Sequence, residues 1–212
     1  MVYLSCLKGS CNCGESNFSK HRRSKRDIET HIYGGKPAAY NEYPWIAHIS
    51  MGCTGFLVDR NHVITAAHCI ERWEKNRTYR KLRAGEVTVT LGTNNKRHPG
   101  VKIRVSKIDI HDSWKLWNSF GYFVGRKALQ NSVDIAILTL SRRAPRSINP
   151  VCLPSHPSNT YVGYDAVVAG YGRVDRDGKK RGGSDQLLQA RVKIISNNEC
   201  GRYGNLWYGI KK

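Results

Sequence analysis

The tightest constraint on this chain is a short hairpin that ends in a histidine. Gly55-Phe56-Leu57-Val58 is an apolar-rich run and Asp59-Arg60-Asn61-His62 a polar turn; Val63-Ile64 then leads into Thr65-Ala66-Ala67-His68-Cys69. Apolar runs of this length bounded by turn residues read as strands. The spacing therefore predicts two antiparallel strands followed by one helical turn, capped by the Thr65 hydroxyl. Cys53 opens the hairpin that Cys69 closes. A bridge between them contributes about 3 kcal/mol on the chain-entropy model and fixes the backbone that carries His68. The small Ala66-Ala67 pair leaves the imidazole packed on one side and open on the other. A titratable ring held this way suits general acid–base work. Taken alone, a His-Cys pair is more simply a stapled hairpin with an incidental histidine.

The flanking chain is β-rich. Strand patterns fall at residues 45–51, 55–58, 62–64, 88–91, 102–110 and 134–140. Val101-Lys102-Ile103-Arg104-Val105 alternates apolar inward and basic outward. Six short strands with polar turns suit an all-β fold built on a closed antiparallel barrel. Residues 112–132 carry Trp114, Trp117, Phe120 and Tyr122, and read as a long surface loop bordering a cleft. Residues 141–160, rich in Pro, Arg and Ser, read as a linker, and 161–212 as the incomplete start of a second barrel. Its first two strands are expected at 166–172 and 187–196, joined by a flexible loop. Residues 1–31 are polar and contain the basic run Lys20-His21-Arg22-Arg23-Ser24-Lys25-Arg26, an exposed, self-repelling segment. They read as a propeptide or a solvated linker ahead of a barrel spanning 32–140.

Charge and cysteines bound the compartment. Lys and Arg number 35 against 16 Asp and Glu, a net charge of +19. Such a balance attracts polyanions, acidic glycans among them. The basic residues are spread over many segments without a nucleic-acid motif, so nucleic acid is not the expected partner. Seven cysteines are present, and Cys11-Asn12-Cys13 lacks zinc-ligand spacing. The cysteines fit a disulfide framework and an oxidising compartment, with no metal or cofactor expected. The sequons Asn17-Phe18-Ser19 and Asn76-Arg77-Thr78 agree with secretion. Met1 to Leu7 is too short an apolar run for a signal peptide, and no stretch is long enough to span a membrane.

A set of motifs in order decides between the readings of His68. Thr65-Ala66-Ala67-His68-Cys69 resembles the histidine box of the chymotrypsin/trypsin family of serine proteases, and Asp134-Ile135-Ala136-Ile137-Leu138 the buried aspartate segment of that family. Ile32-Tyr33-Gly34-Gly35 resembles its activation terminus and Tyr43-Pro44-Trp45-Ile46-Ala47 its first strand. Val151-Cys152-Leu153-Pro154 and Gly170-Tyr171-Gly172 follow in the family's order. The resemblance, over residues 32 to about 200, implies a chymotrypsin-like barrel in a secreted, trypsin-like serine endopeptidase made as a zymogen. His68 would be general base and acid and Asp134 its orienter. Cleavage before Ile32 would free an ammonium group for a buried aspartate; His31 precedes it, so a trypsin-like activator is not expected to cut there. Cys13-Gly14 resembles the light-chain cysteine of two-chain members, which implies a Cys13–Cys152 bridge; the partners of Cys6 and Cys11 stay open, a local Cys6–Cys11 pair being one option. Asn197-Asn198-Glu199-Cys200 resembles the start of the intermediate helix, whose cysteine pairs downstream.

The nucleophile motif Gly-Asp-Ser-Gly-Gly-Pro does not occur within the 212 residues. Gly183-Ser184 is followed by Asp185-Gln186 in an inter-strand loop and does not substitute for it. Without a nucleophile and its oxyanion hole the chain as written is expected not to cleave peptides. The expectation is thus the N-terminal part of an endopeptidase acting on protein or peptide substrates. The alternative is a non-catalytic homologue that serves as a binding module.

Overall fold

The computed structural model describes residues 13–16, 35–74, 79–114, 133–154, 160–172 and 183–207, with backbone alone for Trp73 and 203–207. Six strands close into an antiparallel barrel in the order β2-β3-β4-β9-β8-β7. They are β2 (Ile46–Ile49), β3 (Cys53–Leu57), β4 (His62–Thr65), β7 (Thr88–Leu91), β8 (Val101–Ile110) and β9 (Ala136–Leu140). Closure comes from His48↔Thr90 and Ile49↔Val89, between β2 and β7. The period-2 alternation places Ile49, Leu57, Val63, Val89, Leu91, Ile103 and Leu138 inside, none more than 1% exposed. Each such side chain contributes about 1.5–3 kcal/mol by leaving water. At Gly55 the strands come too close for any side chain: a Cβ there would stand 2.8 Å from the Ile64 carbonyl oxygen.

β8 is the longest strand and has to serve two neighbours. Its first half pairs with β7 and its second with β9, and the register shifts between Val105 and Lys107. An extra residue of this kind bends a strand and lets a barrel turn its corner.

A second sheet has the order β1-β11-β10, from β1 (Lys36–Pro37), β10 (Asp165–Gly170) and β11 (Leu188–Lys193). Tyr171 stitches it to the barrel. The ring is 1% exposed, its hydroxyl donates to the Thr93 carbonyl at 2.7 Å, and its amide donates to Thr54 Oγ1 at 3.0 Å. Burial pushes the phenol up to about 12. His48 meets the ring edge-on at 5.5 Å, and the Lys96 ammonium lies 5.3 Å from its centroid. Burial, and then the Lys96 charge, hold the His48 imidazole below its ordinary value. Helix α1 (Asn197–Trp207) follows β11, and the Ser196 hydroxyl accepts the Glu199 amide at 3.1 Å at its start.

The structure departs from the sequence reading in four places. Thr65 is not a helix cap: it ends β4, its hydroxyl donates to the Thr54 carbonyl at 3.1 Å, and the 3₁₀ turn Ala67–Ile70 has no side-chain cap. The pull of a neighbouring strand carbonyl outcompetes the local amides. β5 (Glu71–Trp73) and β6 (Tyr79–Lys81) form a hairpin that the charged run around them concealed. It is held by Arg80, which donates to Glu74 at 3.0 Å and to both Glu86 oxygens at 2.9 Å. Trp114 is core rather than surface, 9% exposed, because its indole N–H finds a buried acceptor in Glu71 at 2.7 Å. Asp134 lies ahead of β9, not in it. The rest of the aromatic insertion, residues 115–132, lies outside the described residues.

Candidate active site

His68 sits on the 3₁₀ turn that leaves β4. Ala67, Cys69 and Ile70 on that turn are buried, at 0%, 6% and 0% exposure, so the histidine is the residue turned outward. Cys53 and Cys69 are joined, with Cα atoms 6.0 Å apart, and the bridge ties the turn to the start of β3. Asp134 reaches the same rim from the other direction. The Ile135 amide donates to the Val133 carbonyl at 3.0 Å and the His111 amide to the Ile135 carbonyl at 3.1 Å, turning the chain just before β9.

These two elements bring together residues 66 positions apart. One Asp134 oxygen lies 2.7 Å from His68 Nδ1, and the other accepts the His68 backbone amide at 2.9 Å. The carboxylate thus grips the ring and its backbone at once, which fixes both tautomer and orientation. A carboxylate accepts only, so Nδ1 carries the ring proton and Nε2 keeps its lone pair free. The nearest partner of Nε2 is the Cys69 sulfur at 3.6 Å, which in a disulfide has no proton to donate. The side chains are 53% and 40% exposed, so Asp134 is a rim carboxylate, where the family resemblance implied a buried one. Chemically, the arrangement can take a proton at Nε2 and stabilise the imidazolium that forms.

A brace that sequence reasoning missed runs behind this pair. Glu71, three positions after His68, is 8% exposed and accepts the Trp114 indole N–H. Next to Trp114, the Ser113 hydroxyl accepts the Val133 amide at 3.1 Å, one residue before Asp134. The elements that carry His68 and Asp134 are therefore linked a second time. Glu71 stands in a charged run with Arg72, Glu74 and Lys75, so nothing in the sequence singled it out.

Cys53, His68 and Cys69 offer ligand atoms within 4.8 Å of one another, but both sulfurs are committed to their mutual bond, so the trio is not a thiolate metal site. Cys13 is bonded to Cys152, and the Gly14 amide donates to the Pro150 carbonyl at 2.7 Å beside it. Cys200 is exposed and unbonded. Ile32, Cys6 and Cys11 lie outside the described residues. Among the described residues no helix is long and apolar enough to cross a membrane.

With a His–Asp pair on a closed six-stranded barrel, comparison with known proteins becomes decisive. The trypsin family model matches residues 32–211. The chain belongs to the trypsin family. Among trypsin-family relatives, the venom serine protease Bi-VSP of Bombus ignitus is 32% identical over 206 residues, covering 89% of this chain and 49% of the relative. A trypsin-like protease of Streptomyces glaucescens is 30% identical, covering 84% of this chain and 56% of its own length. The chain thus spans about half the length of each. The solved structure of neuropsin, a serine protease expressed in the limbic system of mouse brain, superposes with a TM-score of 0.59 at 25% identity, covering 84% of this chain and 70% of neuropsin.

Proposed function

We propose that this protein is the N-terminal part of a secreted serine endopeptidase of the trypsin family, with His68 as general base and acid and Asp134 as its orienter. The observation that carries the reading is the two-point grip of Asp134 on His68, at 2.7 Å to the ring and 2.9 Å to the amide. It leaves Nε2 without a proton donor among the described residues, ready to receive a hydroxyl proton and then to hand it to a leaving amine. The reading requires a serine hydroxyl at Nε2 and backbone donors for the developing oxyanion, both supplied by sequence other than residues 1–212. Protein or peptide substrates follow from that chemistry. Two disulfides among the described residues support an extracellular setting, and the charge of +19 supports affinity for polyanionic glycans there. Activation before Ile32, and a division into segments 1–31, 32–140, 141–160 and 161–212, belong to the same proposal.

A non-catalytic homologue that serves as a binding module is the competing reading. Sequencing the transcript past the Lys212 codon separates the two. A continuation carrying Gly-Asp-Ser-Gly-Gly is expected, and a stop codon there supports the binding module. In the product of such a continuation, His68→Ala should lower kcat on a peptide substrate by on the order of 10⁶-fold. Asp134→Asn should lower it by about 10⁴-fold. An unchanged rate in either variant removes the role given to that residue.

A further inference from the structure

Basic side chains gather where β8 meets the segment leaving β9. Lys102 and Arg104 are exposed on the outer face of β8, on either side of buried Ile103. Two residues along a strand place them about 6.8 Å apart. The Ser141 amide donates to the Arg104 carbonyl at 2.8 Å, and the Arg142 guanidinium donates to the Lys102 carbonyl at 3.0 Å, which brings a third cation alongside. The next turn is rigid. Ala144 is fully buried, its amide donates to the Arg60 carbonyl at 2.7 Å, and Arg60 donates back to its carbonyl at 2.9 and 2.6 Å. Arg143 and Arg146 flank this anchor and are exposed.

What these five cations combine is adjacency on two joined segments and a lack of compensation. Elsewhere Arg80 pairs with Glu74 and Glu86, Arg97 with Asp185, Lys107 with Asp109, and Lys193 with Asp165. None of the five is in an ion pair among the described residues. Like charges on neighbouring positions work against the fold that holds them, and here a buried anchor keeps them in place.

We propose that this face of β8 and the 142–146 turn bind a sulfated polysaccharide, an inference that rests on the polyanion reading above and gives it a location. The residues between the cations are Thr88 and Thr90, paired with Arg104 and Lys102, and Ser141. They offer hydroxyls for oxyanions. They lack the aromatic faces on which nucleic-acid bases stack and the apolar pockets that anchor a peptide. Arginines predominate, and their planar forks suit oxyanion groups repeated along a linear polymer.

The test is binding of the 212-residue chain to immobilised heparin at about 0.15 M salt, beside DNA and poly-glutamate. Lys102→Ser/Arg104→Ser/Arg142→Ser should weaken heparin binding by about tenfold or more and lower the log–log salt slope by about three. The equal-charge control Arg72→Ser/Arg191→Ser/Arg202→Ser should change it by less than about twofold. Lysine acetylation of the unmutated protein supplies a readout free of any folding defect: heparin should protect Lys102 and leave Lys81 reactive. Equal losses in both triple variants, or equal reactivity of Lys102 with and without heparin, overturn the site and leave general charge attraction standing. DNA or poly-glutamate bound as tightly as heparin overturns the choice of polymer. No retention of the unmutated chain removes the polyanion reading itself, whatever becomes of the protease assignment.

Discussion

The barrel and the three-stranded sheet are both built from antiparallel strands and deal differently with their edges. In the barrel every strand has two neighbours, and the inward row of β9 is 0–5% exposed. In the sheet β10 pairs only with β11 among the described residues, and Val168 and Val192 are 44% and 39% exposed. Closure removes both the unsatisfied amides and the uncovered apolar face, while an open sheet keeps them. The consequence for function is positional. His68, Asp134, the Cys53–Cys69 bridge and the Glu71–Trp114 brace all belong to the barrel or its connections, so their geometry does not wait on the sheet.

Core truncation offers the hardest blow to this contrast. Leu138→Ala in β9 should cost about 3–4 kcal/mol in a denaturant titration, within the range for buried leucines. Val168→Ala in β10 should cost less than about 1 kcal/mol, as exposed positions do. Equal losses would mean that the sheet is as tightly packed as the barrel. Next in size, Cys53→Ala/Cys69→Ala should remove about 3 kcal/mol on the chain-entropy model. The His68 ring should also lose its fixed orientation, read from the NMR signal of the Nδ1 proton bonded to Asp134.

Tyr171→Phe tests the seam between the two regions and should cost about 1 kcal/mol, the worth of one buried hydrogen bond. It also carries a pH signature. Burial raises the phenol from 10.0 to about 12 in the folded state, so the unfolded chain ionises first. Stability fully present below pH 10 is lost as pH rises towards 12, and the phenylalanine variant should lack that alkaline loss in thermal melts. The smallest effect concerns the β5–β6 hairpin. Hydrogen bonds from Arg80, and then from the Arg83 amide, hold Glu86 down at about 2, below an ordinary 4.5. Its contribution is present above pH 4.5 and fades as pH falls towards 2. Glu86→Gln should flatten that acid-side change in hairpin amide exchange, and salt should weaken it in the parent.

Sequence carried much of this. Apolar runs between polar turns located the six barrel strands to within two residues at each end, and in residues 101–105 the burial was also written as a period of two. The Cys53–Cys69 bridge was legible from the hairpin it closes, while the histidine, its aspartate and the Cys13–Cys152 bridge were legible through motifs that resemble those of the family. What stayed hidden depends on contacts between distant segments. The Thr65 hydroxyl chose a carbonyl eleven residues away over the turn it precedes. Trp114 and Glu71 satisfy each other across 43 positions, and neither alone announces a partner. The half-open state of Asp134 likewise follows from where β9 begins, one residue beyond Ile135, which periodicity does not resolve.

The Cys13–Cys152 bond spans 139 positions and leaves the basic run at residues 20–26 inside its loop. Any protease that nicks the backbone between those two cysteines yields two pieces that still travel as one molecule. Electrophoresis without a reducing agent would show an unshifted band, and only added thiol would release the small N-terminal fragment. Maturation of this protein would therefore pass unseen on a non-reducing gel.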